Sequence, residues 1–309
     1  MAHPVPPCLV MSLTRLLAVA PALLLAACAS VTPPPASAPG TAPVAARAVP
    51  LPHIDRSYTS ENQDSRALYI VLHYTVLNWE KSLKVLTTGG QVSAHYLVRD
   101  EPVASYALVD ENRRAWHAGA SFWAGNQNLN SASIGIEIVN PGYTDTPMGR
   151  VYAPFPQAQV DEVIALVRDI QARQKVRPDR IIGHSDIAPG RKQDPGPAFP
   201  WKQLADAGLV PWPDPNLVLI KRLEHEVAPQ SVAWLQARLA RIGYKTPQTG
   251  VLDEATRDVI ATFQMHFRPS DIGGIPDPET AALIEAITTP NGMRLVQPDG
   301  SSQPYTWRW

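Results

Sequence analysis

The stretch ALYIVLHYT, from Ala67 to Thr75, constrains the fold more than any other part of the chain. It is a nearly unbroken run of branched and aromatic residues, too short for a typical helix, and it reads as a buried strand. VSAHYLVRD, VASYALVD and SIGIEIVN are of the same kind and are separated by polar turns. Between Pro156 and Gln174 the pattern changes. Val160, Val163, Ile164, Val167 and Ile170 recur at helical spacing with charged residues between them, which predicts an amphipathic helix whose apolar stripe covers one sheet face. RIIGHSD then reads as another strand, delivering His184 to a loop rich in proline and glycine, GHSDIAPGRKQDPGPAFPW. Strands mixed with helices predict an α/β or α+β core.

At 309 residues and 45% hydrophobic content the chain is long enough for more than one buried core. Its 27 basic and 28 acidic residues nearly cancel, and no basic block or basic helical face stands out. That charge pattern lacks the footprint of nucleic-acid binding, and no obligate protein partner is evident. Arg15 is followed by LLAVAPALLLAAC, an apolar run too short to span a bilayer and ending in small residues, as in an export signal. MSLTR makes a conventional positively charged start, so both Met1 and Met11 stand as candidate first residues. LLAAC resembles the lipobox of bacterial lipoproteins, which implies cleavage before Cys28 and lipid modification there. Cys8 lies in the segment to be removed, so no disulfide partner would remain. The other reading is an ordinary signal peptide that contains a cysteine. Ser30 stands where an aspartate would suggest inner-membrane retention, so the resemblance implies an outer-membrane lipoprotein facing the periplasm.

The expected organisation follows. Residues 1–28 form the signal, and residues 29–60, rich in proline and alanine, form an extended tether. Residues 61–210 make the main globular domain, and 211–228, interrupted by PWPDP, a linker. Residues 229–290 make a small three-helix domain: Val232, Leu235, Leu239 and Ile242 share one helical face, as do Val259, Phe263 and Phe267, and DPETAALIEAI ends it. Residues 291–309 form a tail without periodicity.

Neither HExxH nor a paired CxxC occurs, so a metal site must be assembled from distant segments. Histidine offers a neutral nitrogen donor and aspartate a hard oxygen; three such ligands plus water make the open zinc site used in hydrolysis. His73 and His184, each at a strand end, and Asp194, reaching back across the turn, make such a set. Taken singly, each is more often a hydrogen-bonded structural residue.

IVLHYT, SAHYLV, AWHAGAS, IGIEIVN and GHSDIAPGRKQDPGPAFPW together carry a specific likeness. Over about residues 60–205 the chain resembles the zinc-dependent N-acetylmuramoyl-L-alanine amidases of the type 2 amidase family, most of all their outer-membrane lipoprotein branch. The resemblance implies an α/β fold with a mixed central sheet flanked by helices, and Zn2+ held by His73, His184 and Asp194, the last at a position where some relatives use cysteine. It implies Glu137 as the acidic catalytic residue and Lys192 as the catalytic lysine. Zinc lowers the pKa of bound water to about 7, a carboxylate can carry the proton to a leaving amine, and a lysine can steady a developing oxyanion.

His117 matches a motif near the substrate cleft, which leaves substrate contact and a structural hydrogen bond both open. His95 reads as a core residue or as one lying behind the ligands. Asp186 either orients His184 or forms the turn, and Trp116 and Trp123 either stack on sugars or pack the core. His225 and His266 lie beyond the resembling segment.

VAWLQARLARIGY, TGVLDEATRDVIATFQ and DPETAALIEAI are similar to peptidoglycan-binding domains of the three-helix type, the other reading being a helical buttress. The implied function is cleavage of the amide between N-acetylmuramic acid, including its 1,6-anhydro form, and L-alanine of peptidoglycan or muropeptides, in wall turnover or recycling. The rivals are a recognition protein that binds wall without cutting it, and a zinc peptidase of the stem peptide.

Overall fold

The computed structural model describes residues 51–308. Cys28, both candidate starts and most of the expected tether lie outside the described residues. Residues 51–59 carry no helix or strand and are exposed; from Ser60 onward the chain folds as one unit.

Strand β1 (Tyr69–Tyr74) leads into helix α1 (Trp79–Thr87), whose first turn is capped by the Asn78 side chain accepting from the Lys81 N–H. Strands β2 (Tyr96–Arg99) and β3 (Ala104–Ala107) form an antiparallel pair. The short strands β4 (Phe122–Trp123) and β5 (Asn126–Gln127) pair in the approach to β6 (Ser133–Ile138). A further hairpin of β7 (Tyr143–Thr146) and β8 (Gly149–Tyr152) precedes the long helix α2 (Gln157–Gln174), the one its periodicity predicts. Strand β9 (Ile181–Gly183) then runs into the one-turn helix α3 (His184–Ile187), and α4 (Trp201–Asp206) closes the loop beyond it.

The central sheet has the order β3-β2-β6-β1-β9, in which β2, β6, β1 and β9 run parallel and β3 opposes them. Alternation along the strands explains why the predicted runs are so apolar: the central strands are buried on both faces. Ile70, Leu72, Ile134, Ile136, Ile138 and Ile181 pack against Val163, Val167 and Ile170 of α2. Tyr69, Val71 and Ile182 share the opposite core with Leu235, Phe263 and Ile284. Those three belong to α6 (Val232–Ile242), α7 (Glu254–Phe267) and α8 (Pro278–Thr288), so the helical part covers the second sheet face. Fully burying each such aliphatic or aromatic side chain is worth about 1.5–3 kcal/mol.

The stretch expected to be a linker, 211–228, is instead ordered structure. Trp212–Pro213 is a strand, β10, and Pro215–Val227 a helix, α5. The PWPDP motif starts this helix: Pro215 occupies the first turn, where no N–H is needed, and the Asp214 side chain accepts from the Asn216 and Leu217 N–H groups. Helix α5 packs on α8, with His225 Nε2 buried 2.8 Å from Glu285 Oε2. The expected tail also folds. Strands β11 (Met293–Val296) and β12 (Ser302–Tyr305) join β10 in a three-stranded sheet, and the buried Trp307 donates from Nε1 to the Ile242 carbonyl at 2.8 Å. No helix among the described residues is long and apolar enough to cross a membrane.

Candidate active site

Three parallel strands bring the polar residues to one edge. His73 is the fifth of six residues in β1 and pairs in register with Glu137, the fifth of six in β6. His184 follows β9 directly, so all three stand at the carboxyl ends of parallel strands, where open α/β sheets bind ligands. Alternation puts His73 on the face of Tyr69 and Val71, and Glu137 on the face of Ser133 and Gly135.

The loop after α3 folds back on its own start. Lys192 N donates to the Ala188 carbonyl at 3.0 Å, and Ser185 N donates to the Asp194 carbonyl at 2.8 Å. This return places Asp194 Oδ2 2.9 Å from His73 Nδ1 and 3.0 Å from His184 Nδ1, while the two Nδ1 atoms lie 2.9 Å apart. Gly183 makes the return possible, because a Cβ there would sit 2.9 Å from Pro195 Cδ.

The surrounding hydrogen bonds fix where the protons are. Ser133 Oγ donates to the Leu129 carbonyl at 2.6 Å and so must accept from His117 Nε2 at 3.1 Å. His117 Nδ1 is then bare and accepts from His73 Nε2 at 3.0 Å, which leaves His73 Nδ1 with a free lone pair. On the other side His184 Nε2 donates to the Ala118 carbonyl at 3.1 Å, and its Nδ1 is likewise free.

Electrostatics agree with this assignment. Burial, reinforced by His184, pushes the His73 imidazolium down to about 4. Burial, followed by His73 and His95, holds that of His117 well below its ordinary value. Burial alone would raise the Asp194 carboxyl, but His184 and His73 outweigh it and keep it far below the usual carboxylate range. Two nitrogen lone pairs and a carboxylate oxygen about 3 Å apart repel one another unless a cation sits among them. For zinc bonds of about 2.0–2.1 Å, tetrahedral ligands lie about 3.3 Å apart, so the donor set fits that ion in type, number and spacing.

Beside these donors lies a cleft of about 240 Å3, lined by Glu137, Lys192 and His117 and walled by Leu77, Val85, Leu86 and Val92. Glu137 Oε2 is sheltered from solvent without a hydrogen-bond partner. Burial, then the Asp194 charge, push its carboxyl well above the ordinary range, against the pull of Lys192.

The predicted residues His73, His184, Asp194, Glu137 and Lys192 therefore meet in one place. His117 also lines the cleft, but its two ring nitrogens face His73 and Ser133, which leaves neither for substrate. It stands so close to β6 that a Cβ at Gly135 would overlap its ring. Asp186 does not orient His184. It accepts from Gly183 N at 2.8 Å and from Tyr244 Oη at 2.7 Å, and pairs with His266 Nδ1 at 2.9 Å. His266, outside the resembling segment, is thus tied to the loop that carries His184. His95 Nδ1 accepts from Gly135 N in the core, Trp123 packs edge-on against Tyr244, and Trp116 remains exposed at the cleft. Ser133 and Asn130, whose Oδ1 accepts from the His117 and Ala118 N–H groups, were not singled out from sequence. Only the two-residue spacing of Ser133, Gly135 and Glu137 on one strand face signals the first.

Comparison with known proteins adds a lineage. The family model for N-acetylmuramoyl-L-alanine amidase matches residues 63–197, and that for a peptidoglycan binding domain matches residues 229–284. The chain is 42% identical over 237 residues to N-acetylmuramoyl-L-alanine amidase AmiD of Escherichia coli, covering 74% of this chain and 84% of that protein. It is 42% identical over 114 residues to 1,6-anhydro-N-acetylmuramyl-L-alanine amidase AmpD of Enterobacter cloacae, covering 37% of this chain and 55% of that one. Among solved structures it is similar to Escherichia coli AmiD in complex with anhydro-N-acetylmuramic acid-L-Ala-D-gamma-Glu-L-Lys, at a TM-score of 0.68 and 39% identity, covering 75% of this chain and 92% of that chain. It is also similar to AMPDH3 from Pseudomonas aeruginosa in complex with anhydromuramic pentapeptide, at a TM-score of 0.70 and 38% identity, covering 76% and 97%.

Proposed function

The chain belongs to the N-acetylmuramoyl-L-alanine amidase family, and from that premise we propose that it hydrolyses the amide between N-acetylmuramic acid, the 1,6-anhydro form included, and L-alanine of peptidoglycan fragments at the His73, His184 and Asp194 centre. The observation that carries the assignment is the convergence of two imidazole lone pairs, whose ring protons point elsewhere, with a carboxylate oxygen. Bound there, zinc would supply a Lewis acid and a water acidic enough to attack near neutral pH.

The chain's own residues do the rest. His73 and His184 are held as neutral donors by His117 and by the Ala118 carbonyl. Glu137, raised in pKa and unpartnered at Oε2, takes the proton from the attacking water and gives it to the leaving amine of L-alanine. Lys192, in the same cleft, places positive charge where the oxyanion develops. Leu77, Val85, Leu86 and Val92 give the cleft an apolar wall on one side.

Digestion of soluble muropeptides with and without a chelator tests this by mass analysis. Intact stem peptides beginning with L-alanine are expected only without chelator. Cuts inside the stem would favour the peptidase, and binding without cleavage the recognition protein; the complete donor set argues against the latter.

We also propose that the chain is exported and anchored by lipid. Supported by LLAAC, Cys28 carries the lipid, and residues 29–60 tether an outer-membrane lipoprotein that faces the periplasm. Cys28→Ala should abolish incorporation of labelled fatty acid and move the protein to the soluble fraction. The helical part, matched to the peptidoglycan binding model, would hold wall beside the cleft.

A further inference from the structure

Two of the three metal donors, His184 and Asp194, sit on a turn and loop that need support from elsewhere in the molecule. Helix α3 has four residues, and a single helical turn fixes too many dihedral angles for the few bonds it gains. His73 needs no such help, because β1 is paired along both edges. The seating of α3 therefore decides whether His184 meets the other donors.

That seat comes from the helical part. The buried Asp186 side chain accepts at Oδ2 from the N–H of Gly183, the residue before His184, at 2.8 Å. The same carboxylate is held by two side chains from far along the chain: the Tyr244 hydroxyl donates to Oδ1 at 2.7 Å, and His266 Nδ1 lies 2.9 Å from Oδ2. Tyr244 follows α6, and His266 stands in the last turn of α7. Both rings are fixed in turn. Tyr244 meets Trp123 edge-on at 4.8 Å between centroids, and His266 stacks on Trp201 at 3.9 Å and on Phe267 at 4.2 Å. A buried carboxylate is tolerated where such partners meet it, and loss of one leaves it underbonded. Asp186 has no bond to the His184 imidazole, whose Nε2 faces the Ala118 carbonyl; its hold on that ligand runs through the backbone of the turn.

We propose that Tyr244 and His266 are positioning residues for the metal centre, and that through Asp186 the helical part holds His184 where the ion needs it. The proposal rests on the metal-dependent amidase reading and deepens it, because it makes the helical part a component of the active site and not only a wall-binding module. Ligands arranged in advance give up less freedom when the ion arrives, so a firm turn raises affinity and a loose one lowers it. Partners that hydrogen-bond a ligand directly are worth about 10–100-fold in metal affinity. Here the path has a further link, from carboxylate to turn to His184, which puts the effect at the lower end, about tenfold.

The test uses the full chain and two substitutions that separate the hydrogen bond from the ring. His266→Phe keeps a ring to stack on Trp201 and removes the N–H, whereas His266→Asn keeps a donor near the place of Nδ1 and removes the ring. Chelator competition should show zinc affinity about tenfold lower in His266→Phe and within about threefold of the parent in His266→Asn. Urea unfolding of the metal-free proteins should rank them the other way, because His266→Asn gives up the buried ring. The visible spectrum of the Co2+-substituted protein, which reports ligand geometry, should change in His266→Phe and match the parent in His266→Asn. Unchanged affinity in His266→Phe, or affinities that follow the order of stability, would overturn the positioning role. If His266→Phe does not fold, Tyr244→Phe takes its place: it loses only the donor to Oδ1, and unchanged zinc affinity there would overturn the role equally. A parent that binds zinc but cleaves no muropeptide would remove the amidase reading alone, since zinc affinity judges the positioning role.

Discussion

Replacing Ser133 with alanine tests whether a buried chain of protons sets metal affinity. Ser133 is fully buried, and its hydroxyl both satisfies the Leu129 carbonyl at 2.6 Å and holds the proton of His117 on Nε2. Alanine leaves the imidazole N–H without a partner, at about 1–3 kcal/mol, whereas the Leu129 carbonyl keeps the Ala132 N–H at 3.0 Å. Moving the His117 proton to Nδ1 relieves that loss. That move points an N–H at His73 Nε2 and drives the His73 proton onto Nδ1, the atom needed for the ion. The fold should lose about 1–3 kcal/mol, and zinc affinity should fall about 10–100-fold, equivalent to about 1.4–2.7 kcal/mol. Competition with a chromogenic chelator measures the affinity, and urea unfolding of the metal-free protein measures stability separately. Loss of stability with zinc affinity within about twofold of the parent would refute the chain, because the hydroxyl would then serve packing alone.

Glu137→Ala should keep one zinc per chain by elemental analysis yet lose about 100-fold or more in turnover, whereas His184→Ala should lose the metal itself. Near-normal turnover in Glu137→Ala would rule out its proton-carrying role. Tyr244→Phe removes a buried donor to Asp186 Oδ1 and should destabilise the fold by about 1–2 kcal/mol in urea; an unshifted midpoint would show the bond to be dispensable. Burial alone would raise the Glu111 carboxyl, but hydrogen bonds from Arg173, Tyr96 and Gln174 outweigh it and bring it down to about 2. A carboxyl depressed in the folded state adds stability above its unfolded pKa of about 4.3, and that stability fades as pH falls toward 2. Solvent at Arg173 limits the contribution to about 1–2 kcal/mol. Glu111→Gln should therefore unfold more easily than the parent at pH 7, with the gap narrowing between pH 5 and 2; a gap independent of pH would contradict this.

The strands were legible because their apolar runs are buried on both faces, and α2 because one stripe of it is. The near half of the site was legible too, since His184, Lys192 and Asp194 share one short loop. Donor chemistry joined His73 to that loop only as a strand-end histidine with a structural alternative, and Glu137 entered through the family likeness; the parallel pairing of β1 with β6 and β9 brings both there. Helix α5 was missed because Leu219, Ile220 and Leu223 are exposed and blur the apolar stripe that faces α8. The bond from Gly183 N to Asp186 is the turn-forming reading, but the other partners of Asp186, Tyr244 and His266, were missed because they lie 58 and 80 residues further on, in a part of the chain that reads as a separate domain. Its burial in a core shared with β1 and β9 comes from tertiary contact that no local pattern records.

The distance along the chain between the converging donors sets an order of events. His73 stands 111 residues before His184 and 121 before Asp194, so in the unfolded chain only His184 and Asp194, ten residues apart, lie near one another. A pair of that kind chelates weakly, and closing the longer loop without the sheet costs entropy that two ligands do not recover. The cation can therefore be taken up firmly only after β1 has docked between β6 and β9. Loading becomes a late step that reports a finished fold, and a chain threaded unfolded through a membrane would carry no tightly held metal across with it.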